Sequence, residues 1–212
     1  KKVSKDEALK AVKNVTDKTS EGSLQAEAME AVKTLILWAG DNPEREGLLD
    51  TPKRVVKAYK QFFSGYNDDP EEILSRTFEE VDGYDDAVIV RDIRLESHCE
   101  HHMVPIIGVA HVGYIPSSRV VGISKLARLV DCYSKRLQTQ ETMTAQIANT
   151  IDKVLKPKGV AVVIDSNHNC MSTRGVHKTH SSTITSRMLG IFRTDNKARE
   201  EFINLINSPQ KF

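Results

Sequence analysis

Residues 87–115 read AVIVRDIRLESHCEHHMVPIIGVAHVGYI. The two ends of this stretch, AVIVRDIRL (87–95) and VPIIGVAHVGYI (104–115), are rich in branched residues and predict two strands. Between them stand His98, Cys99, His101 and His102. Side chains that ligate metals and carry protons are therefore concentrated in the turn of a predicted hairpin.

Upstream of the hairpin the pattern is helical. Ser4 with Glu7 forms a capping box before ALKAV. Leu24, Ala28, Val32, Leu35 and Ala39 recur at helical spacing, and Gly40 supplies a stop. Thr51-Pro52 opens a further helix, which Gly65 is expected to close, and Asp69-Pro70 opens a short one. Downstream, SKLARLVDCYSKRL predicts a helix capped by Ser124 and striped by Leu126, Leu129, Val130, Tyr133 and Leu137. The next helix carries Met143, Ile147, Ile151, Val154 and Leu155, and Pro157 and Gly159 end it. GVAVVIDSNH and SSTITSRMLGIF predict two more strands, and Asp195 caps a last helix, NKAREEFINLI. This order predicts an α+β fold with an antiparallel sheet. The expected division is an N-terminal helical region, residues 1–80, and a chemistry-bearing domain, residues 81–212.

Composition narrows the function classes. Of 212 residues, 39% are hydrophobic and 28% charged, as in a globular chain rather than a disordered one. The net charge of +1 gives no bulk attraction to nucleic acid or an anionic membrane, so an anionic ligand must be held by local cations. No apolar run is long enough to span a bilayer. The N-terminus is charged without an apolar segment behind it, so no secretory signal is expected. It lacks an initiator Met, so a processed or trimmed start is expected. Cys99, Cys132 and Cys170 are too few and too scattered for a disulfide framework; free thiols in a reducing cytoplasm are expected.

Cys99 and His102 have the spacing that lets one tight turn offer two ligands to one ion, and thiolate and imidazole are donors zinc prefers. A second cluster, DSNHNCMSTRG (165–175), adds His168 and Cys170, two residues apart at a predicted strand end and so expected on one side. Cys170 as third ligand gives a Cys-His-Cys set with His168 beside it. Three protein ligands leave a tetrahedral position for water, whose pKa zinc lowers. His101 and His168 then suit proton transfer. A closed structural site using His98 or His101 as fourth ligand fits the spacing equally well. His111 is expected to be a satisfied sheet residue, His177 and His180 to be solvated, and Cys132 to be core. The His-x-Glu and Pro-Cys-x-x-Cys pattern of zinc nucleobase deaminases is absent.

GISKLAR places Ser124, Lys125 and Arg128 at a helix N-terminus, where backbone N–H groups and the dipole favour phosphate, and Arg174 can join them. An ordinary cap with solvated cations explains the Ser124-Lys125 pair as well. QTQE (138–141) puts Gln140 and Glu141 at another helix start. A carboxylate there either complements the dipole or accepts two N–H donors from a guanine edge.

Together, SHCEHHMVPIIGVAHVGYIP, VVGISKLARLVDCYSKRLQTQE, GVAVVIDSNHNCMSTRGV and TSRMLGIFR resemble the GTP cyclohydrolase I family, in the family's order, from about residue 45 to 207. The resemblance implies a tunnelling fold, with an antiparallel sheet bearing helices on one face. Subunits are implied to join into rings, two pentamers stacking into a homodecamer with sites between subunits. It implies one Zn2+ per subunit on Cys99, His102 and Cys170, and His101 and His168 as the proton-handling pair. It places Glu141 on guanine with Gln140 beside it on the substrate, Ser124 at the ribose, and Lys125, Arg128 and Arg174 at the triphosphate. The implied reaction opens the guanine imidazole ring of GTP, releases C8 as formate and gives 7,8-dihydroneopterin triphosphate, the first step of folate and pterin biosynthesis. Neither nucleic acid nor membrane is an expected partner. Thr142 departs from the basic residue the family often carries; a changed surface or subunit contact is expected there. A non-catalytic zinc protein that binds a pterin or nucleotide, and another tunnelling-fold enzyme of pterin or deazapurine metabolism, are the alternatives.

Overall fold

The structure, a computed structural model, describes residues 21–79 and 83–209. The capping box at Ser4 and Glu7 lies outside the described residues. Contacts divide the chain into two compact units, residues 1–61 and 62–212. In the first, helix α1 (Glu21–Trp38) ends where expected, with Gly40 at φ +94°. Helix α2 (Thr51–Phe62) starts at Thr51-Pro52.

In the second unit, helix α3 (Pro70–Ser75) is capped by Asp69, whose carboxylate accepts the N–H groups of Glu71 and Glu72. Strand β1 (Thr77–Phe78) pairs with β4 (Val120–Val121). The main sheet has the order β5-β2-β3-β6-β7, built from β2 (Val88–Cys99), β3 (Pro105–Ile115), β5 (Leu137–Gln138), β6 (Gly159–His168) and β7 (Thr183–Gly190). The predicted hairpin is β2–β3, running from Val88 opposite Tyr114 to His98 opposite Pro105. Its register shifts between Val90 and Ile93, where Asp92 has φ +57°. The register of β6 on β3 sets His168 opposite Ile106, so both predicted clusters arrive at one end of the sheet.

Helices α4 (Ile123–Ser134) and α5 (Gln140–Leu155) cover one face. Leu126, Leu129, Met143, Ile147 and Ile151 are buried there against Val160, Val162 and Ile164 of β6. Each such side chain contributes about 1.5–3 kcal/mol of burial. Short turns α6 (Asn169–Ser172) and α7 (Ile191–Thr194) and helix α8 (Asn196–Asn207) complete the chain, α8 capped by Asp195 as expected.

Several expectations are corrected. The helices do not lie on one face alone: Phe202 and Ile206 of α8 pack with Phe192 against Ala161 and Val163 on the opposite face. The unbroken apolar run GVAVVI is the trace of a strand covered on both sides. The sheet is mixed, because β5 runs parallel to β2, with His98 opposite Leu137 and Cys99 opposite Gln138. Leu137 thereby leaves the helical stripe. Gly65 does not close α2, which stops at Phe62. It sits where a Cβ would lie 2.2 Å from the Cys132 carbonyl oxygen, so only glycine admits that approach. Gly122, not Ser124, is the N-cap of α4. The last strand stops at Gly190 (φ +56°), where a Cβ would meet the Lys158 carbonyl oxygen at 2.3 Å, and Phe192 turns into the second core.

Candidate metal centre and its surroundings

Cys99 ends β2, buried, and its N–H donates to the Val104 carbonyl at 2.9 Å. Met103 takes φ +54° to make the turn, and its N–H returns to the Cys99 carbonyl at 2.8 Å. The Glu100 N–H donates to the Gln138 carbonyl at 3.0 Å, so the turn is tied to the entry of α5. This turn presents the Cys99 Sγ 3.9 Å from His102 Nδ1 and 3.8 Å from His101 Nδ1.

Cys170 reaches the same place from the far side of the sequence. It lies in α6, two residues past the end of β6, rather than on the strand with His168; the turn, not strand alternation, aims it. One ligand atom each from Cys99, His102 and Cys170 lie within 4.8 Å of one another, the one such group among the described residues. Burial, followed by the neighbouring Cys99 thiol, pushes the Cys170 thiol above its usual value, while Arg174 acts the other way. Two thiols and an imidazole converging in this manner form a donor set suited to zinc.

The other histidines sort by their partners. His98 stacks on Phe62 with ring centroids 4.6 Å apart and meets Phe63 edge-on at 5.4 Å; it is a packing residue. His111 is buried and its Nδ1 accepts the Asp92 N–H at 3.1 Å, as expected of a satisfied sheet residue. His177 and His180 are exposed. Cys132 is fully buried in the core, as expected, where its Sγ faces the Gly65 and Asp68 carbonyls at 3.8 Å and accepts from the Arg136 guanidinium at 3.2 Å.

His168 is half-buried at the end of β6, and burial holds its imidazole below the usual value, with Glu141 pulling upward. Its Nε2 lies 2.7 Å from Gln140 Oε1. Gln140 is buried at the start of α5, and Ser166 donates to the same Oε1 at 2.6 Å. The sequence reading passed over Ser166. Its signal was strand periodicity, which puts 164, 166 and 168 on one face of β6.

Glu141 is exposed and lines a cleft of about 250 Å³ with Thr144, Ala145, Thr185, Ser186 and Arg187. Arg174 joins the metal group directly, its guanidinium donating to His102 Nε2 at 2.9 Å. Ser124, Lys125 and Arg128 lie in the first two turns of α4; among the described residues no hydrogen bond links them to the metal group. Thr142 completes the cap of α5, its N–H donating to Thr139 Oγ1 at 3.3 Å and the two hydroxyls pairing at 2.8 Å.

The GTP cyclohydrolase I family model matches residues 28–207. This chain belongs to the GTP cyclohydrolase I family. It is 61% identical over 181 residues to GTP cyclohydrolase 1 of Hyphomonas neptunium, spanning 85% of this chain and 88% of that protein. With GTP cyclohydrolase 1 of Maricaulis maris it shares 60% over 180 residues, 85% and 88% of the two chains. With that of Brucella abortus it shares 58% over 184 residues, 87% and 86%. Cys99, His102, Cys170 and His168 all fall inside the span matched to GTP cyclohydrolase I. No helix among the described residues is long and apolar enough to cross a membrane.

Proposed function

We propose that this chain is a zinc-dependent GTP cyclohydrolase I: it opens the guanine imidazole ring of GTP, releases C8 as formate and forms 7,8-dihydroneopterin triphosphate. The observation that carries the reading is the convergence of Cys99, His102 and Cys170 from segments about seventy residues apart, in a chain of that family.

Cys99, His102 and Cys170 would hold one zinc ion per subunit, and the donor set fits it: two sulfurs and one imidazole nitrogen within mutual reach. When bound, zinc supplies Lewis acidity that makes water nucleophilic at neutral pH. The rest falls to the protein's own groups. His101, whose Nδ1 is 3.8 Å from Cys99 Sγ, and His168 hold and deliver protons at the purine ring nitrogens as the C8 bonds break. Glu141, at the mouth of its cleft, accepts N–H donors of the guanine edge and rejects purines that lack them. Lys125 and Arg128 at the start of α4, with Arg174 beside the metal group, counter the triphosphate charge, and Ser124 meets the ribose. These groups position the nucleotide so that each proton transfer occurs within a held geometry.

The assembly belongs to the same reading: a tunnelling fold whose sheets close into rings, two pentamers stacking as a decamer with sites completed between subunits. In support, β7 is an edge strand with Ile184 66% exposed, and ring closure would cover such an edge. Catalysis is assigned to the sheet-bearing part, from about residue 81 onward. Three free cysteines accord with a reducing cytoplasm.

The test is incubation of purified, zinc-replete protein with GTP, following formate and the fluorescent oxidised pterin. Both are expected together. Absence of turnover by the intact oligomer would overturn the reading.

A further inference from the structure

Gln140 is 1% exposed, and every hydrogen-bonding position of its amide is taken inside the protein. Nε2 donates to the Ile164 carbonyl at 3.1 Å and to the Thr183 carbonyl at 2.8 Å. Oε1 faces the Ser166 hydroxyl at 2.6 Å and His168 Nε2 at 2.7 Å. The two carbonyls can only accept, which fixes the amide with its NH2 toward them and its oxygen toward Ser166 and His168. An amide oxygen can only accept in its turn, so His168 Nε2 must carry a hydrogen. In the neutral ring the lone pair is then on Nδ1.

We infer that Gln140 is a positioning residue that selects the Nε2–H tautomer of His168 through a buried amide locked by two backbone carbonyls, leaving Nδ1 as the nitrogen that exchanges protons. The inference rests on the reading of His168 as a proton carrier for GTP, and it departs from a direct contact between the Gln140 side chain and substrate. The amide has no donor or acceptor left to offer a ligand without giving up one of these bonds. The chain uses its sheet to hold the side chain: Ile164, Ser166 and His168 alternate onto one face of β6, Thr183 opens β7, and α5 starts over them.

The test is ¹⁵N magnetic resonance of the histidine rings in zinc-loaded protein without nucleotide, the His168 signals being identified by their loss in His168→Asn. The expected result is hydrogen on His168 Nε2; a ring that carries its hydrogen on Nδ1 alone in the parent protein would overturn the inference. Gln140→Met provides the kinetic arm. Its expected outcome is mixed His168 tautomers and a fall in kcat of about 10–100-fold, as for other groups that orient a functional ring, with KM for GTP and zinc content unchanged. A rise in KM with kcat retained would assign Gln140 to the substrate and overturn the inference. If Gln140→Met does not assemble, the tautomer of the parent protein decides alone. Because that measurement needs no GTP, a failure to turn over GTP would count against the proposed activity and leave this result standing.

Discussion

His111 and His168 sit in one sheet, on opposite faces, and burial holds both imidazoles below the usual value. Their surroundings differ in what they leave over. On the α8 face, His111 Nδ1 accepts a backbone N–H at a strand irregularity, from Asp92 at φ +57°. The ring is consumed in stitching β3 to the bulge of β2. On the helix-covered face, His168 stands at a strand end beside the metal group, tied by one nitrogen to a side-chain amide. The fold thus uses the same side chain once as mortar and, under the proposed function, once as a reagent. The distinction is made by the partner, since burial acts on both.

The comparison breaks first if the metal group is dispensable. Under the proposed function, Cys170→Ser removes one of the three donors that could hold the metal beside His168. Zinc measured by elemental analysis should be lost, with turnover of GTP falling below detection. Retention of tight zinc would disqualify Cys170 as a ligand. The second largest effect falls on His168 itself. His168→Ala should lower kcat about 10²–10⁴-fold while zinc content and thermal unfolding stay near the parent values. A staple that merely held the hairpin would show no such loss.

The matching change on the other face sharpens the contrast. His111→Ala removes the part-buried hydrogen bond from the Asp92 N–H and should cost about 0.5–1.5 kcal/mol in denaturant unfolding, with kcat intact below the transition. A loss of turnover in stable His111→Ala protein would erase the distinction between the two histidines. A smaller effect follows from pH. Burial is the first cause lowering the His111 value from 6.5, with Asp92 and Asp165 raising it and Arg91 lowering it. The unfolded chain therefore takes up a proton near pH 6.5 that the folded chain refuses until lower pH. Stability from this group is present above 6.5 and lost as pH falls through that range. His98 and His168 shift in the same direction, so the readout is the difference: unfolding of His111→Phe should depend on acid less steeply than the parent. The smallest change lies away from both histidines. Asp195→Ala removes the cap of α8, whose N–H acceptor role at Lys197 is seen at 2.8 Å, and should cost about 1 kcal/mol.

How much of this was legible in the sequence follows from the range of each interaction. The hairpin and the Cys99–His102 turn are local; branched runs and a two-residue gap sufficed. The meeting of Cys170 with Cys99 was legible as donor chemistry, but its route was not, because a short turn after β6 carries Cys170, where strand alternation was expected to do so. The parallel bridge of β5 to β2 gave no signal in a two-residue segment, and it drew Leu137 out of a convincing helical stripe. The approach of Gly65 to the Cys132 carbonyl depends on two segments 67 residues apart, so the glycine read as a helix stop. Placement of α8 on the second face was written in GVAVVI, an apolar run with no polar alternation. The saturation of Gln140 could not be read at all, since its four partners come from β6 and the start of β7.

The most direct measurement follows the C8 atom. Protein stripped by chelator, then refilled with zinc, is given GTP labelled at C8. Labelled formate should appear in step with GTP consumed by the refilled protein, and the stripped protein should release none. Intact zinc-filled oligomer that yields no labelled formate, or stripped protein that yields as much, would contradict the account.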